Sequence, residues 1–413
     1  MRVLALAART LERKLDADRS DHVGPSIPCP CGAAARYAGR RPRTLTTVLG
    51  VLTLRRAYFV CDACGAGCCP RDRVLGLGDG PLSSAVTRMA GHAAALVSFA
   101  EAGGLLGALA GVDVDAKAVE RAAEALGREV AADERSVVVP GTPSASTMYL
   151  GMDGTGVPMR PSEVEGRAGK QADGSARTRE AKLVTVWTAE GRDADGVPAR
   201  DPGSVTHSVA IESAATLDVD EVLSPFGLRV EREAVRRGFD RAERRVVIGD
   251  GATWIWKLAG ELFPGAIEVV DLFHAKEHLS DVGKAIFGAT SELGRAWARE
   301  RHAELDEGRL DELLSALAAH VPSCEEARRC VGYVSTNRER MRYPEFRSQG
   351  LCVSSGVLEA GCRVVVGTRL KRSGMRWTIA GADTILALRA AWLSGRFDAF
   401  WERRSCARRA RIA

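Results

Sequence analysis

Residues 148–157 read MYLGMDGTGV, and this stretch sets the frame for the whole chain. Mostly apolar residues lead to Asp153, and glycines follow it at positions 154 and 156. Residues 245–251, RVVIGDG, repeat this order and place Asp250 after a second apolar run. Each stretch is typical of a buried strand that ends in a carboxylate. Ligands of open α/β sheets gather at the carboxyl ends of strands, so we expect the two aspartates to meet there.

A third acidic residue, Glu359, lies in SSGVLEAGCR near the start of a predicted helix. Alone, each acid has an ordinary explanation, because aspartates after strands form turns or caps and helical glutamates mostly lie on surfaces. Together and in this order, the three predict a site for two Mg²⁺ or Mn²⁺ ions. Magnesium takes oxygen ligands, and two ions about 3.5–4 Å apart can neutralise and align a phosphate. His274 and His278 are poor magnesium ligands and would suit zinc better.

Strands and helices alternate around the two aspartates. The pattern predicts the order β-β-β-α-β-α-β-α, which is the order of an RNase H-like sheet. After the opening stretch, predicted strands lie at residues 181–190, 207–214, 244–250 and 266–271, and predicted helices at 219–238, 252–263 and 272–288. The fold class is therefore α/β, an RNase H-like catalytic core with a helical insertion. The predicted segments are a helical segment (1–28), a zinc ribbon (29–79), a helix-turn-helix-like (HTH-like) DNA-binding region (80–140), a catalytic domain (145–400) with its insertion (290–347), and a basic tail (401–413).

Six of the eleven cysteines fall between residues 29 and 69, which in a chain without a secretion signal favours metal over disulfides. The stretch TLTTVLGVLTLRRAYFV separates two cysteine groups and predicts a β-hairpin around Gly50. Two cysteine pairs joined by a hairpin predict a zinc ribbon. The predicted ligands are Cys29, Cys31, Cys61 and Cys64. The spacing of the first pair is tight, so Cys68 or Cys69 could replace one member, and reduced structural cysteines are the alternative.

Two helical stretches, at 82–109 and 115–134, follow the cysteines and are joined by a break at 111–113. Ser83 or Ser84 is the expected cap of the first stretch. Helices joined by a short glycine turn fit an HTH module that binds DNA. A hairpin of two helices that only pack together is the alternative.

Basic charge is concentrated in two places. Residues 363–413 hold twelve basic and three acidic residues, a balance of +9, and residues 36–73 hold eight and two, a balance of +6. Such patches are expected of a protein that binds a polyanion, although a solvated arginine-rich surface gives the same composition. The first residues carry only a short apolar run before charges begin, and no long apolar window follows. We therefore expect a cytoplasmic protein without a signal peptide or membrane span.

Four motifs carry a family resemblance: YLGMDGTGVPM, VVIGDGATWIW, VVDLFHAKEHL and SSGVLEAGCRVVVGTRLKRSGMRW. Together they resemble the ISKra-type insertion-sequence transposases of bacteria over nearly the whole chain. The resemblance implies a DDE transposase, named for its two aspartates and one glutamate, which correspond to Asp153, Asp250 and Glu359. It implies binding of terminal inverted repeats, divalent-metal-dependent end cleavage, and strand transfer into target DNA by a homodimer at the bacterial nucleoid.

Asp271 and His274 resemble the D-x-x-H element of Mutator-like transposases, which gives them a supporting role; a strand-end aspartate and a helix-face histidine are the alternative. Arginine binds phosphate in a bidentate fashion and tryptophan can stack on an unpaired base. The candidate DNA contacts are Arg369, Lys371, Arg372, Arg376 and Trp377. Two other functions stay open: a nuclease on the same core that never joins ends, and a non-catalytic DNA-binding protein derived from a transposase.

Overall fold

The computed structural model describes residues 2–78, 80–136, 138–169, 171–194, 196–215, 223–354 and 356–410. The chain forms two compact units, one of Met1–Asp133 with Thr384–Ala413 and the other of Glu134–Asp383. Residues 384–400, which the sequence analysis assigns to the end of the catalytic domain, are grouped with the first unit. Residues 411–413 of the predicted basic tail lie outside the described part. Among the described helices, none combines the length and hydropathy that a membrane crossing requires.

The elements are numbered in chain order. The strands are β1 (Ser26–Pro28), β2 (Ala34–Thr47), β3 (Gly50–Cys61), β4 (Gly67–Cys68), β5 (Thr147–Pro158), β6 (Thr178–Thr188), β7 (Gly191–Arg192), β8 (Pro198–Ala199), β9 (Thr206–Ala210), β10 (Arg244–Gly249) and β11 (Ile267–Val270). The helices are α1 (Arg2–Ala17), α2 (Pro70–Val74), α3 (Ser84–Leu96), α4 (Phe99–Ala110), α5 (Ala116–Ser136), α6 (Pro225–Arg237), α7 (Thr253–Leu262), α8 (Leu272–Phe287), α9 (Glu292–Asp306), α10 (Leu310–Ala318), α11 (Glu325–Asn337), α12 (Tyr343–Ser348), α13 (Gly356–Gly361), α14 (Thr368–Leu370), α15 (Ile379–Leu393) and α16 (Phe397–Ala410).

The first unit begins with an antiparallel sheet in the order β1-β2-β3-β4. The predicted hairpin is confirmed: β2 and β3 meet at Gly50, whose φ of +117° suits a residue without a side chain. Strand β2 begins earlier than predicted, so the arginine-rich stretch after the first cysteines is part of the sheet. The outer edge of β3 is covered by α1, whose Glu12 and Asp16 carboxylates accept the backbone N–H groups of Thr53 and Arg55. An edge covered in this way cannot pair with another chain.

The helical part of the first unit differs from prediction in one respect. The stretch predicted as one helix is two, α3 and α4, because Ser98 starts a new helix by a capping box with Glu101. Ser83 caps α3, as one of the two predicted alternatives. A Cβ on Gly127 would lie 2.2 Å from the carbonyl oxygen of Thr384, so α5 and α15 approach closely at this glycine.

The second unit is built on a sheet in the order β11-β10-β5-β6-β9. The pairs β5–β6 and β6–β9 are antiparallel, whereas β5–β10 and β10–β11 are parallel. Helix α6 lies between β9 and β10 in sequence, α7 between β10 and β11, and α8 follows β11. This is the element order that the sequence predicts. Residues 219–222, where the predicted helix before β10 begins, lie outside the described part, and α6 starts after the capping residue Ser224.

The core of the second unit lies on both faces of this sheet. Val246, Val247 and Ile248 are all fully buried, as expected of a parallel strand covered on both sides. The predicted insertion is helical and comprises α9 to α12, and many of its apolar residues join the same core. Helix α13 packs directly on β5: a Cβ on Gly151 would lie 2.2 Å from the Leu358 side chain. After α13 the backbone widens into a π-helix at Cys362–Gly367.

Candidate active site and metal centre

The strand register brings three aspartates to one level. Gly151 of β5 pairs with Ile248 of β10, which in turn pairs with Val269 of β11. Two residues beyond this row lie Asp153, Asp250 and Asp271. Because side chains alternate along a strand with a period of two, these aspartates are expected to project on the same side of the sheet. The register therefore explains how residues far apart in the sequence come to one level of the sheet.

One detail corrects the sequence analysis. Asp153 does not end β5, because the strand continues to Pro158 in antiparallel pairing with β6. The glycine at 154, which follows Asp153 in the sequence, is a point of close approach between strands. A Cβ there would lie 2.5 Å from a carboxylate oxygen of Glu180 on the neighbouring strand. Asp153 thus lies where β5 extends past the end of β10.

Glu359 reaches the same place from α13. Its neighbour Leu358 packs on Gly151, which fixes the start of this short helix against β5, while Glu359 itself is exposed. A cavity of about 510 Å³ is lined by all three predicted catalytic acids. Its lining also includes Asp271, His274 and Glu277. The structure therefore brings together the predicted acids and the predicted supporting pair.

Asp153 is the most constrained of the acids. Burial raises its pKa above the ordinary value; the charge of Asp250 raises it too, whereas the Cys362 thiol and the Gly154 N–H, which donate to its carboxylate, lower it. A carboxylate whose ionised form is destabilised by burial and by a neighbouring negative charge is stabilised when a cation binds beside it. Asp250 is held by a turn, since its Oδ1 accepts the Ala252 N–H at 2.8 Å.

The supporting pair is fixed by a helix start. Asp271 caps α8, and its Oδ1 accepts the backbone N–H groups of Phe273 at 2.8 Å and His274 at 3.2 Å. The side chain of His274 lies beside Glu277 and His278, with ring centres of the two histidines 4.7 Å apart. Capping orients Asp271 through hydrogen bonds to the helix rather than toward solvent.

The donor set of the cavity suits magnesium more than zinc. Its ligand candidates are mostly carboxylate oxygens, which are the atoms that Mg²⁺ prefers. Across the described ranges, only the cysteine group in the first unit has ligand atoms all within 4.8 Å of one another. The three acids face one space at wider separations. Magnesium keeps several waters when bound, so a hydrated ion can span such separations.

The four predicted cysteine ligands converge in the first unit and could hold a metal ion. The sulfurs of Cys29 and Cys64 are 3.6 Å apart, as are those of Cys31 and Cys61. Four thiolates about 2.3 Å from a tetrahedral zinc lie about 3.8 Å from one another, whereas a disulfide would need about 2 Å. The N–H of Cys64 donates to the Cys61 sulfur and lowers the pKa of that thiol to about 7.

The tight Cys29-x-Cys31 spacing works because the chain turns sharply at once. The Gly32 N–H donates to the carbonyl oxygen of Cys29 at 2.9 Å, and Gly32 has a φ of +89°. The glycine in CPCG is therefore the sequence signal that makes this pair usable. Cys68 and Cys69 are outside the group of four.

The candidate DNA contacts separate into two sets. Lys371, Arg372 and Arg376 are exposed, whereas Arg369 is fully buried and Trp377 is 8% exposed. The Trp377 indole donates to the Leu370 carbonyl at 3.0 Å, and the Arg369 guanidinium lies 5.2 Å from the centre of its ring. The two buried residues hold the loop in place, so in this structure they are not available to DNA.

Lys371 connects this loop to the acids. Its Nζ donates to Thr155 Oγ1 at 2.5 Å, and Thr155 is two residues beyond Asp153 on β5. Alternation along the strand places Thr155 on the same side as Asp153. Lys371 is thus held two positions along β5 from Asp153, although neither it nor Thr155 lines the cavity.

The HTH-like region offers few groups for DNA in its second helix. Residues 97–116, which contain α4, include no Lys, Arg, Asn or Gln. Phosphate and base contacts depend mainly on those side chains. DNA binding by this region stays a prediction, and it rests on α3 and α5 rather than on α4.

Sequence reasoning missed Tyr333 and Cys362. Tyr333 donates its hydroxyl hydrogen to the carbonyl oxygen of Asp250 at 2.8 Å, although it lies 83 positions away in the helical insertion. No local pattern in a polar helix signals such a contact. Cys362 follows Glu359 by three positions, the spacing of neighbours on a helix face, which is a signal that could have found it.

No protein-family model matches the chain, and no curated protein matches it. Among solved structures, the chain is similar to the Drosophila P element transposase strand transfer complex. The identity is 12% and the TM-score 0.22, over 76% of this chain and 80% of that chain. At this level the similarity is too low to assign a function. The resemblance to ISKra-type transposases therefore rests on the four sequence motifs.

Proposed function

We propose that the second unit is an RNase H-like DDE transposase core. The observation that carries this proposal is the row of acids: Asp153 and Asp250 at one level of adjacent parallel strands, with Glu359 on the same cavity. The strand order, with three antiparallel strands followed by two parallel ones, supports the RNase H-like assignment. The assignment to insertion sequences is supported by the four sequence motifs that resemble ISKra-type transposases.

Asp153, Asp250 and Glu359 would supply the carboxylate ligands of two Mg²⁺ or Mn²⁺ ions. When bound, such ions neutralise the scissile phosphate and activate water or a 3′-hydroxyl for in-line attack. The residues of this chain orient the carboxylates. Hydrogen bonds from Gly154 and Cys362 hold Asp153, and the turn to Ala252 holds Asp250. Asp271 and His274 support the start of α8 beside them.

The exposed residues Lys371, Arg372 and Arg376 would bind the phosphates of the transposon end. Lys371 is the best placed, because it is hydrogen-bonded to Thr155, two positions along β5 from Asp153. The substrate would be the terminal inverted repeats and a target duplex. Two inverted ends require two active sites, so a homodimer on DNA is the expected working form.

The cysteine group would hold a structural zinc ion. A sheet of this size has too little apolar core to be stable alone, and four thiolates around zinc supply the missing free energy. The small buried cluster of this sheet includes Cys29, Phe59 and Cys61. The ion would therefore stabilise the fold of the first unit and take no part in the reaction.

Strand transfer by the purified protein tests the proposal. The substrate is a labelled DNA carrying the element's own end sequence, with Mg²⁺ or Mn²⁺, beside Asp153→Ala, Asp250→Ala and Glu359→Ala. We expect joined product that EDTA and each substitution abolish. Cleavage without joining would indicate a nuclease instead. DNA binding without either product, unchanged by the substitutions, would contradict catalysis and indicate a DNA-binding protein.

A further inference from the structure

The helical insertion touches the strand ends of the core through two tyrosine hydroxyls. Tyr333 of α11 donates to the carbonyl oxygen of Asp250 at 2.8 Å. Tyr343, at the start of α12, donates to the carbonyl oxygen of Val270 at 3.1 Å. These carbonyls lie at the carboxyl ends of β10 and β11, where the two aspartates of those strands are placed. The insertion is thus hydrogen-bonded to the edge of the sheet that carries the acids.

The Tyr333 ring also shapes the turn that follows Asp250. Gly251 has a φ of +100°, and a Cβ built on it would lie 2.4 Å from Cε2 of Tyr333. The ring therefore occupies the space that a side chain would take. On the carboxylate side, the Ala252 N–H holds Asp250 Oδ1. The backbone of Asp250 is fixed by Tyr333 and its carboxylate by the turn, so the two contacts act on one residue.

Tyr333 is itself held in place by the helix that carries the supporting histidine. Its ring centre lies 4.5 Å from that of His278, which in turn lies 4.7 Å from that of His274. Burial raises the pKa of the Tyr333 hydroxyl, so this group remains a hydrogen-bond donor at neutral pH. The pKa of His278 is lowered mainly by burial and, to a smaller extent, by the charge of the nearby His274.

We propose that Tyr333 is a positioning residue for Asp250, through which the helical insertion completes the divalent-metal site. The inference deepens the proposed function and rests on it. Without the hydroxyl, the carbonyl of Asp250 loses its hydrogen-bond donor, and the turn at Gly251 becomes more mobile. A ligand that moves must be ordered when the ion binds, and this weakens metal affinity. Changing a hydrogen-bond partner of a metal ligand typically costs about 10–100-fold in affinity.

Tyr343 provides a matched control. It makes the same kind of bond, from a tyrosine hydroxyl to a carbonyl at a strand end, and its side chain is fully buried. Its acceptor, however, belongs to Val270, which is not a proposed metal ligand. A purely structural role of the insertion would make Tyr343→Phe at least as damaging as Tyr333→Phe. A positioning role at Asp250 separates the two variants.

The test measures Mn²⁺ binding to the full-length protein by electron paramagnetic resonance of the free ion, below the unfolding temperature of each variant. Wild type, Tyr333→Phe, Tyr343→Phe and Asp250→Ala are compared, and thermal unfolding in EDTA is recorded for all four. We expect Tyr333→Phe to raise the Mn²⁺ Kd about tenfold, at the low end of the range for such partners. Tyr343→Phe should lower the unfolding temperature and leave the Kd unchanged.

The outcomes separate the inference from the function on which it rests. If Tyr333→Phe binds Mn²⁺ like wild type, or if Tyr343→Phe loses as much affinity, Tyr333 is not a positioning residue although the metal site stands. If wild type binds no Mn²⁺, or if Asp250→Ala binds it as tightly as wild type, the proposed metal site is wrong. The inference about Tyr333 is then wrong as well. A Kd raised only in Tyr333→Phe, together with a proportionate rise in the Mg²⁺ needed for strand transfer, supports it.

Discussion

Asp153 and Asp250 are the two residues on which the proposed cation site depends most. The two carboxylates share one level of the sheet, and burial together with the charge of Asp250 raises the pKa of Asp153. An ionised Asp153 therefore costs folding free energy when no metal is present. The same cost becomes a source of metal affinity when an ion binds between the acids.

Asp153→Asn should accordingly raise the unfolding temperature of the metal-free protein, because it removes a half-buried charge and keeps the shape. Magnesium at about 100 times its Kd should stabilise wild type by about 2.7 kcal/mol and the variant by less. Thermal unfolding in EDTA and in Mg²⁺ measures both effects. A variant that is less stable than wild type in EDTA would show that the carboxylate is held by hydrogen bonds that outweigh its repulsion.

The elements show which parts of the fold the sequence could predict. Short apolar runs predict β6 and β10, and alternating apolar residues predict the hairpin of β2 and β3, because both patterns are local. The continuation of β5 past Asp153 was missed, since a glycine beside a strand signals a turn and a close approach equally well. The backbone of Trp377 bonds to Pro158 of β5, a contact that was not readable from the loop itself, and Arg369 packs on the Trp377 ring. The break between α3 and α4 was readable, because Ser98 and Glu101 form a capping box.

The cysteine group gives the sharpest prediction at this scale. Purified protein should contain about one zinc per chain, and Cys31→Ser should lose it and unfold the small sheet that the ion stabilises. Cys68→Ser is the matched control, because Cys68 lies on the same sheet but outside the group of four. Zinc content by mass spectrometry of the metal measures both. Loss of zinc in Cys68→Ser, or wild type without zinc, would contradict the proposed ligand set.

At the scale of the whole molecule, basic charge and acidic site adjoin within the second unit. The exposed loop of Lys371, Arg372 and Arg376 follows the π-helix and is attached to β5 through Thr155. This arrangement would bring a bound phosphate backbone to the acids. The sequence predicted the basic loop and the acids separately, but only the fold makes them neighbours.

Replacing these three residues by alanine should weaken DNA binding at all sequences and flatten its salt dependence. Each lost phosphate contact lowers the slope of log K against log salt by about 0.9. Arg328→Ala is the control, since Arg328 is also exposed but lies on α11, where it forms an ion pair with Glu325. Binding isotherms at several salt concentrations measure the slope. An unchanged slope in the triple variant would place the DNA contacts elsewhere.

The most direct measurement is metal rescue of strand transfer by Asp250→Cys. A thiolate is a poor ligand for Mg²⁺ and a better one for softer ions such as Mn²⁺. We expect no joined product from Asp250→Cys in Mg²⁺, partial recovery in Mn²⁺, and none from Asp250→Ala in either metal. Equal activity of Asp250→Cys in both metals, or recovery by Asp250→Ala in Mn²⁺, would show that Asp250 does not hold the catalytic ion.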